Sequence, residues 1–236
     1  MGLEGDVDAL LFDVFGTVVD WRTSVARQLA GFRPLADTGL DPWELADGWR
    51  AAYRPAMERV ESGELAWMNL DELHARSFSQ LLSERGVSVS AAQARDAALF
   101  WHRLDPWPDA VEGLNRLKRH FTIATLSNGN VALLLDIAKR AELPWDTLLS
   151  AELARRYKLD LSCYTYNASL IGRPFDRIMM VAAHAADLEQ ARRAGLRTAF
   201  VERPLEHGPP ARLTPPHYPV DLRCADFLDL ATALGA

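Results

Sequence analysis

Residues 7–17 read VDALLFDVFGT, and this stretch contains the pattern that decides the fold. Four apolar residues, Ala9 to Phe12, are followed at once by Asp13, and Gly16 and Thr17 come shortly after. A short apolar run that ends in a loop is typical of a buried strand in a parallel sheet. A carboxylate at the end of such a strand is either a functional group or a structural one, such as a helix N-cap or an ion-pair partner.

Strands of the same kind alternate with helical patterns along the rest of the chain. Further strands are predicted at residues 121–126, 148–150, 178–183 and 198–201, and helices at residues 109–120, 131–141, 186–194 and 225–234. This alternation predicts an α/β fold, a Rossmann-like parallel sheet with helices on both faces. Ligands of such sheets bind beyond the carboxyl ends of the strands, so residues at those ends are the first candidates for a functional site.

A long segment of different character separates the first strand from the second. From residue 24 to residue 103 the pattern is helical, with no comparable strand signal. We interpret residues 18–105 as an inserted helical cap subdomain, and residues 1–17 and 106–236 as the core. A later stretch, residues 204–219, contains six prolines and predicts a loop before a final helix.

Composition excludes several classes of partner. The 236 residues carry a net charge of −6 and have no basic cluster interleaved with aromatic residues, so nucleic acid and anionic membranes are poor candidates. No apolar run reaches the 18 residues of a membrane-spanning helix, and the first residues lack the pattern of a secretory leader. Cys163 and Cys224 are too few for a disulfide framework, so we expect a cytoplasmic protein. A homodimer is the default expectation for its assembly.

Three motifs arrive in an order that resembles a known family. The segment from Phe12 to Asp20, FDVFGTVVD, resembles the first motif of the haloacid dehalogenase superfamily. Ser127, at the end of the second predicted strand, matches its second motif, and Lys158 matches its third. The resemblance covers essentially the whole chain. It implies a haloacid dehalogenase-like core with an inserted cap, and a nucleophilic Asp13 that forms a covalent ester or phosphate. A lysine beside Asp13 would keep that carboxylate ionised.

Two positions separate phosphate chemistry from carbon–halogen chemistry within this superfamily. Its phosphatases carry a second Asp two residues after the nucleophile, where this chain has Phe15, and a metal-binding Asp where it has Ala183. Without Mg²⁺, a carboxylate that attacks a phosphate dianion meets charge repulsion. A departing halide needs no proton, and a 2-haloacid is only a monoanion. Because it has Phe15 and Ala183 in place of these two acidic residues, the chain resembles the type II L-2-haloacid dehalogenases, which use no metal and no cofactor.

The resemblance to that branch implies a role for each of a set of residues. Catalytic roles fall to Asp13, Thr17, Lys158, Asp187 and His184. Halide contacts fall to Arg50, which follows Trp49 in the predicted cap, and to Asn128. Substrate contacts fall to Val14, Phe15, Ser127, Tyr164 and Trp67, with Val14 and Phe15 using backbone N–H groups. Asp187 or His184 would help the hydrolytic water. The chain departs from the branch at Leu159, where a proline is usual, and at Ala182 and His184, where some members have Ser and Asn.

These residues predict an enzyme that hydrolyses short 2-haloalkanoic acids, such as an L-2-haloacid or a haloacetate, to 2-hydroxy acids. Asp13 would attack C2 with inversion to give an ester, which water would then hydrolyse. Two alternatives remain open at this point: a Mg²⁺-dependent phosphatase with unusual ligands, and a catalytically silent member that binds a small carboxylate. The burial of three charges costs roughly several kcal/mol, and this argues against the catalytically silent alternative.

Overall fold

The structure is a computed structural model that describes residues 6–236, so the first five residues of the predicted core segment 1–17 lie outside it. Within residues 6–236, six parallel strands form one sheet in the order β5-β4-β1-β6-β7-β8, and two short strands, β2 and β3, form an antiparallel pair. The strands are β1 (Ala9–Phe12), β2 (Val19–Asp20), β3 (Asp105–Pro106), β4 (Thr122–Ser127), β5 (Thr147–Ser150), β6 (Ile178–Ala182), β7 (Arg197–Val201) and β8 (Leu222–Cys224).

Strand β1 lies at the centre of the sheet, between β4 and β6. Leu10 pairs in register with Ile123 on one side and with Met179 on the other. Every residue of β1 and β6 is buried, as expected for strands covered on both faces. The backbone N–H of Asp13 donates to the carbonyl of Val181, which extends the pairing one residue beyond β1. The sheet therefore holds Asp13 at its carboxyl edge.

Helices cover the sheet and build the insertion. They are α1 (Trp21–Ala30), α2 (Pro42–Glu61), α3 (Leu70–Ser83), α4 (Ala91–Ala98), α5 (Ala110–Lys118), α6 (Val131–Arg140), α7 (Ala151–Ala154), α8 (Leu161–Ser169), α9 (Ala185–Arg193) and α10 (Phe227–Ala233). Helix α5 packs on α10, and α8 packs on α9. This arrangement confirms the predicted α/β class with a helical insertion.

The insertion begins and ends at the β2–β3 pair. Val19 pairs with Pro106 and Asp20 with Asp105, so the chain leaves the core and returns to it side by side. Helices α1 to α4 lie between these strands and pack around a buried aromatic cluster that includes Trp49, Phe78 and Trp101. The division into a cap at residues 18–105 and a core stays a prediction, and the pair lies at the residues where we placed its boundaries.

The edge of the sheet differs from the sequence prediction. Strand β8 was not predicted because it has only three residues and its central residue, Arg223, is exposed. Helix α8 was also missed, because Leu161, Tyr166 and Leu170 are exposed apolar residues in and beside it and weaken its amphipathic pattern. The proline-rich residues 204–219 form a loop without regular structure that leads to β8. Among residues 6–236, no helix is long and apolar enough to cross a membrane.

Candidate active site

A cleft of about 930 Å³ opens at the carboxyl edge of the sheet. Asp13 and Phe15 from the turn after β1 form its floor with Asn128, which follows β4. Its opposite wall is helix α2. Arg50, Tyr53, Arg54 and Met57 line the cleft at helical spacing, so one face of α2 points at the sheet edge. The cleft therefore places a carboxylate on one side and a guanidinium on the other.

Asp13 is buried and accepts hydrogen bonds at both carboxylate oxygens. Its Oδ1 accepts from Lys158 Nζ at 2.8 Å, and its Oδ2 accepts from Thr17 Oγ1 at 2.8 Å. His184 Nδ1 lies 3.0 Å from the same Oδ2. Burial alone would raise the pKa of Asp13, but the charge of Lys158 and the hydrogen bond from His184 outweigh it and hold that pKa far below its usual range. Asp13 is therefore an ionised carboxylate in an enclosed site.

Lys158 lies in the loop between α7 and α8 and bridges two carboxylates. Its Nζ lies 2.8 Å from Asp13 Oδ1 and 2.5 Å from Asp187 Oδ2, and it donates to the carbonyl of Leu126 at 2.9 Å. Burial would lower the pKa of Lys158, but the two carboxylates raise it. Tyr164 donates to Asp187 Oδ1 at 2.5 Å. The ammonium group of Lys158 is thus held between the carboxylates of Asp13 and Asp187.

Asp187 lies in the first turn of α9, where a helix N-terminus favours a carboxylate. Burial raises the pKa of Asp187, and the nearby charge of Asp13 adds to this effect, against the opposing charge of Lys158. A carboxylate whose pKa is raised is a stronger base. Asp187 also lines the cleft, so this carboxylate is within the candidate site.

The wall opposite Asp13 carries donors from α2. The Arg50 guanidinium lies 4.6 Å from the centre of the Tyr53 ring and 5.5 Å from that of Trp21. Its buried Nη1 has no hydrogen-bond partner within residues 6–236. Tyr53 and Asn128 both line the cleft, and Asn128 Oδ1 accepts from the backbone N–H of Lys158 at 2.7 Å. The two aromatic rings therefore hold the Arg50 guanidinium in place, and its Nη1 can still donate a hydrogen bond to a bound group.

A buried carboxylate that we did not predict completes the site. Glu206 lies in the proline-rich loop, accepts from Trp21 Nε1 at 3.1 Å, and meets His184 Nε2 with both oxygens at 3.0 Å. Gly16 makes room for it, since a Cβ on Gly16 would lie 2.2 Å from Glu206 Oε1. No local pattern in the sequence marks Glu206, which stands between a leucine and a histidine in a loop.

The comparisons with known proteins agree with this geometry. Residues 7–195 match the family model of haloacid dehalogenase-like hydrolases. The chain is 44% identical to the L-2-haloacid dehalogenase PA0810, whose crystal structure it matches with a TM-score of 0.91 over 97% of this chain and 99% of that one. It is 41% identical to the defluorinating L-2-haloacid dehalogenase Rha0230, with a TM-score of 0.93 over 98% and 96%. The (S)-2-haloacid dehalogenase 4A of Burkholderia cepacia is 27% identical over 202 residues, 83% of each chain.

The chain belongs to the haloacid dehalogenase-like hydrolases. This confirms the resemblance that the three motifs indicated. In this haloacid dehalogenase-like hydrolase, the motif residues Asp13 and Lys158 are in contact, and Ser127 ends the neighbouring strand β4. Thr17 joins the first motif to the end of β6, because its hydroxyl donates to Asp13 and accepts from the backbone N–H of Ala183 at 2.9 Å.

The structure brings most of the predicted site residues of this hydrolase to the cleft. Seven of them line it: Asp13, Phe15, Arg50, Asn128, Lys158, His184 and Asp187. Val14 and Thr17 are buried in the turn beside Asp13. The sequence prediction included neither Glu206 nor Tyr53. A signal for Tyr53 was available, because it follows Arg50 by three residues and so shares its helix face.

Three predicted substrate contacts lie elsewhere in this hydrolase. Trp67 does not line the cleft, because it packs against Tyr157 with ring centres 4.8 Å apart, and Tyr157 takes the wall position. Tyr164 is buried behind Asp187, so it acts on that carboxylate and does not reach the cleft. Ser127 is also buried, and its Oγ accepts from the backbone N–H of Gly129 at 3.1 Å. None of these three residues is among those that line the cleft, and their roles as substrate contacts stay predictions.

The positions that distinguish the phosphatases of the superfamily carry no acidic group in this hydrolase. Over residues 6–236, no group of three or more His, Cys, Asp or Glu side chains is arranged to hold a metal ion. Phe15 and Ala183 occupy the positions where such a phosphatase would carry acidic residues. Phe15 instead packs edge-on against Trp101, with ring centres 5.9 Å apart, and gives the floor of the cleft an apolar surface.

Proposed function

We propose that this protein hydrolyses the carbon–halogen bond of short 2-haloalkanoic acids and yields 2-hydroxy acids through an ester on Asp13. The observation that carries the proposal is the pairing of an ionised, buried Asp13 with Lys158 at the base of a cleft whose opposite wall presents Arg50. The identities of 44% and 41% to L-2-haloacid dehalogenases support it.

The first step is an in-line displacement at carbon. The Asp13 carboxylate attacks C2, the carbon–halogen bond breaks on the opposite side, and the configuration at C2 inverts. The halide then leaves toward α2, where the unpartnered Nη1 of Arg50 meets the developing negative charge. Donors fixed in advance at the place where charge develops contribute most to such a step. Tyr53 and Asn128 stand beside Arg50 and complete the halide-binding wall.

The second step is hydrolysis of the ester. Lys158 holds Asp13 Oδ1 and stabilises negative charge on it when water adds to the carboxyl carbon. Asp187 lies on the other side of Lys158 and takes the proton from the water. Neither step needs a metal ion, because the substrate is a monoanion and the leaving group needs no proton.

The test measures halide release by the full-length protein. Fluoroacetate, chloroacetate and both enantiomers of 2-chloropropionate are each assayed with and without EDTA, and the hydroxy acids are identified by chiral chromatography. We expect halide release that EDTA does not change, with (S)-2-chloropropionate preferred and (R)-lactate as product. Loss of activity in EDTA and its restoration by Mg²⁺ would favour the phosphatase alternative. No halide from any substrate would refute the proposal.

We also propose that the enzyme acts in a reducing compartment such as the cytoplasm. Cys163 and Cys224 are both buried and free, and neither is paired in a disulfide. Localisation of a tagged full-length chain by cell fractionation tests this, and light scattering tests whether the enzyme is a homodimer. Whatever its compartment and oligomeric state, the expected binding partner of the enzyme is its small-molecule 2-haloacid substrate.

A further inference from the structure

His184 stands between two carboxylates, one of which is the nucleophile. Its Nδ1 lies 3.0 Å from Asp13 Oδ2, and its Nε2 lies 3.0 Å from both oxygens of Glu206. A carboxylate oxygen only accepts hydrogen bonds, so each ring nitrogen must carry a proton to bond its partner. The geometry therefore holds His184 as an imidazolium that donates one proton toward the reacting group.

Glu206 is built into the site and does not line the cleft. It is 6% exposed, Trp21 Nε1 donates to its Oε1, and the missing side chain of Gly16 leaves space for its carboxyl group. A buried carboxylate is costly unless it is paired, and Glu206 lies 3.0 Å from His184 Nε2, with the exposed His207 farther away at 3.9 Å. The burial of Glu206 is thus explained by its ion pair with His184.

We propose that His184 is the proton donor in hydrolysis of the Asp13 ester, and that Glu206 is a positioning residue that keeps His184 charged and aimed at Asp13 Oδ2. The proposal rests on the proposed function and assigns the ester to Oδ2. Lys158 then holds the carbonyl oxygen Oδ1, while His184 and Thr17 both lie against the oxygen that must leave, and of these two His184 carries the acidic proton.

Atoms and protons balance in this step. Water adds to the carboxyl carbon of Asp13 and gives one proton to Asp187. The adduct collapses, the bond from that carbon to the ester oxygen breaks, and the electron pair stays on the ester oxygen, which takes the proton of His184 Nδ1. The 2-hydroxy acid departs with this oxygen. The carboxylic acid left on Asp13 returns its proton to the neutral His184, and Asp187 releases its proton to solvent.

The sequence suggested that Asp187 or His184 would help the hydrolytic water, and a role for His184 as the water-activating base does not fit this geometry. A base needs an unprotonated nitrogen that faces the water, and both nitrogens of His184 face carboxylates. Burial alone would lower the pKa of His184, but the charge of Glu206 and the hydrogen bond with Asp13 raise it to about 10. The base role is left to Asp187.

The charged groups around His184 fix the direction of its pH dependence. Asp13 and Glu206 face it directly, and Lys158 and Asp187 lie behind Asp13. Arg50 acts on Glu206, and His207 lies 3.9 Å from a Glu206 oxygen. An acid works only while protonated, so activity is present below the pKa of His184 and is lost as the pH rises through it. Because Glu206 raises that pKa, its replacement by Gln lowers the pKa and moves the loss of activity to lower pH.

The test separates the two halves of the reaction in a single turnover with (S)-2-chloropropionate and excess enzyme. In His184→Asn, the amide keeps a hydrogen bond to Asp13 and cannot give up a proton. We expect halide release within about tenfold of the wild-type rate and hydroxy acid release about 100-fold slower, the usual contribution of a general acid. The ester on Asp13 then accumulates, and mass spectrometry of the intact protein detects it.

Glu206→Gln supplies the second readout, and Glu189→Gln is its control. Glu189 is a carboxylate on α9 that pairs with Arg193 at the surface. In Glu206→Gln the alkaline loss of hydroxy acid release should begin at lower pH than in the wild type, and Glu189→Gln should leave the profile unchanged. Equal slowing of both halves in His184→Asn, or an unmoved profile in Glu206→Gln, overturns this inference. A wild-type protein that releases no halide would instead overturn the proposed function.

Discussion

Asp13 shows how neighbouring side chains set the character of a single residue. Burial alone would favour its neutral form, and the charge of Lys158 and the hydrogen bond with His184 reverse that preference, while Thr17 also donates to one of its oxygens. The same donors restrain the carboxylate in one orientation at the edge of the cleft. A nucleophile held in this way loses little orientational freedom on reaction.

Replacement of Asp13 by Asn tests the nucleophile. The amide is almost isosteric, but it cannot form the ester, so we expect steady halide release to fall by about 10³-fold or more. The measurement is halide release from (S)-2-chloropropionate, with mass spectrometry to exclude deamidation back to Asp. Circular dichroism checks that the variant is folded. Sustained turnover by undeamidated protein would show that Asp13 is not the nucleophile.

Tyr53 gives a prediction about the leaving group. Tyr53 lines the cleft beside Arg50, so we expect its phenolic O–H to donate to a halide bound there. Fluoride accepts hydrogen bonds more strongly than chloride, and a bond to a charged acceptor contributes about 1.5–3 kcal/mol. In Tyr53→Phe we therefore expect fluoroacetate turnover to fall about 10–100-fold and chloroacetate turnover by roughly threefold or less.

The control for this variant is Tyr166→Phe, which removes an exposed hydroxyl from α8. It should change turnover of neither substrate. If Tyr53→Phe slowed both substrates equally, Tyr53 would have a general role in shaping the cleft and no special role toward fluoride.

Elements near the site differ in how far the sequence predicted them. Strand β1 and the turn after it were predicted because an apolar run followed by Asp13 and Gly16 is a local pattern. Arg50 was predicted through its Trp-Arg resemblance. Glu206 was not, because its contacts with Trp21 and His184 join a loop to two distant elements. Only the folded chain brings those three segments together.

The turn after β1 yields a prediction about Gly16. Its φ of +85° lies in the left-handed region, and a Cβ there would overlap the carboxyl group of Glu206. We expect Gly16→Ala to lower the free energy of unfolding by about 3 kcal/mol, above the roughly 1 kcal/mol that such a φ alone costs a residue with a side chain. Urea denaturation measures this difference.

Gly63→Ala is the matched control for that variant. Gly63 has a φ of +79°, and within residues 6–236 no neighbouring atom lies within 4 Å of the point that a Cβ would occupy. The substitution therefore reports backbone strain alone. Equal losses of stability in Gly16→Ala and Gly63→Ala would show that Glu206 moves aside at little cost.

At the scale of the whole molecule, buried polar contacts fasten the helical insertion to the sheet-bearing part of the chain. His102, at the end of the insertion, lies 2.9 Å from Asp71 of α3 and 2.7 Å from Asp136 of α6. Asn130 donates to the second oxygen of Asp71 at 2.9 Å. Tyr157 donates to the carbonyl of Met68 at 2.7 Å. These bonds join α3 and both ends of its neighbourhood in the insertion to α6 and to the loop that carries Lys158.

The stabilisation that His102 provides depends on pH, and the direction of this dependence follows from the carboxylates that it contacts. Burial would lower the pKa of His102, but Asp71 and Asp136 raise it above the ordinary value of about 6.5. A raised pKa in the folded state stabilises the protein fully below the unfolded value, and this stabilisation is lost as the pH rises through the folded value. The charged form of His102 therefore matters most near and below neutral pH.

Replacement of His102 by Gln should remove this contribution. We expect the free energy of unfolding of the wild type to exceed that of His102→Gln by more at about pH 6 than at about pH 9, with a change near 1 kcal/mol because Asp136 is largely exposed. Chemical denaturation followed by tryptophan fluorescence measures both values. His120→Gln removes an exposed histidine and controls for composition, so it should show no such change. A stability difference that stays constant between the two pH values would mean that His102 holds the insertion through packing, with no contribution from its charge.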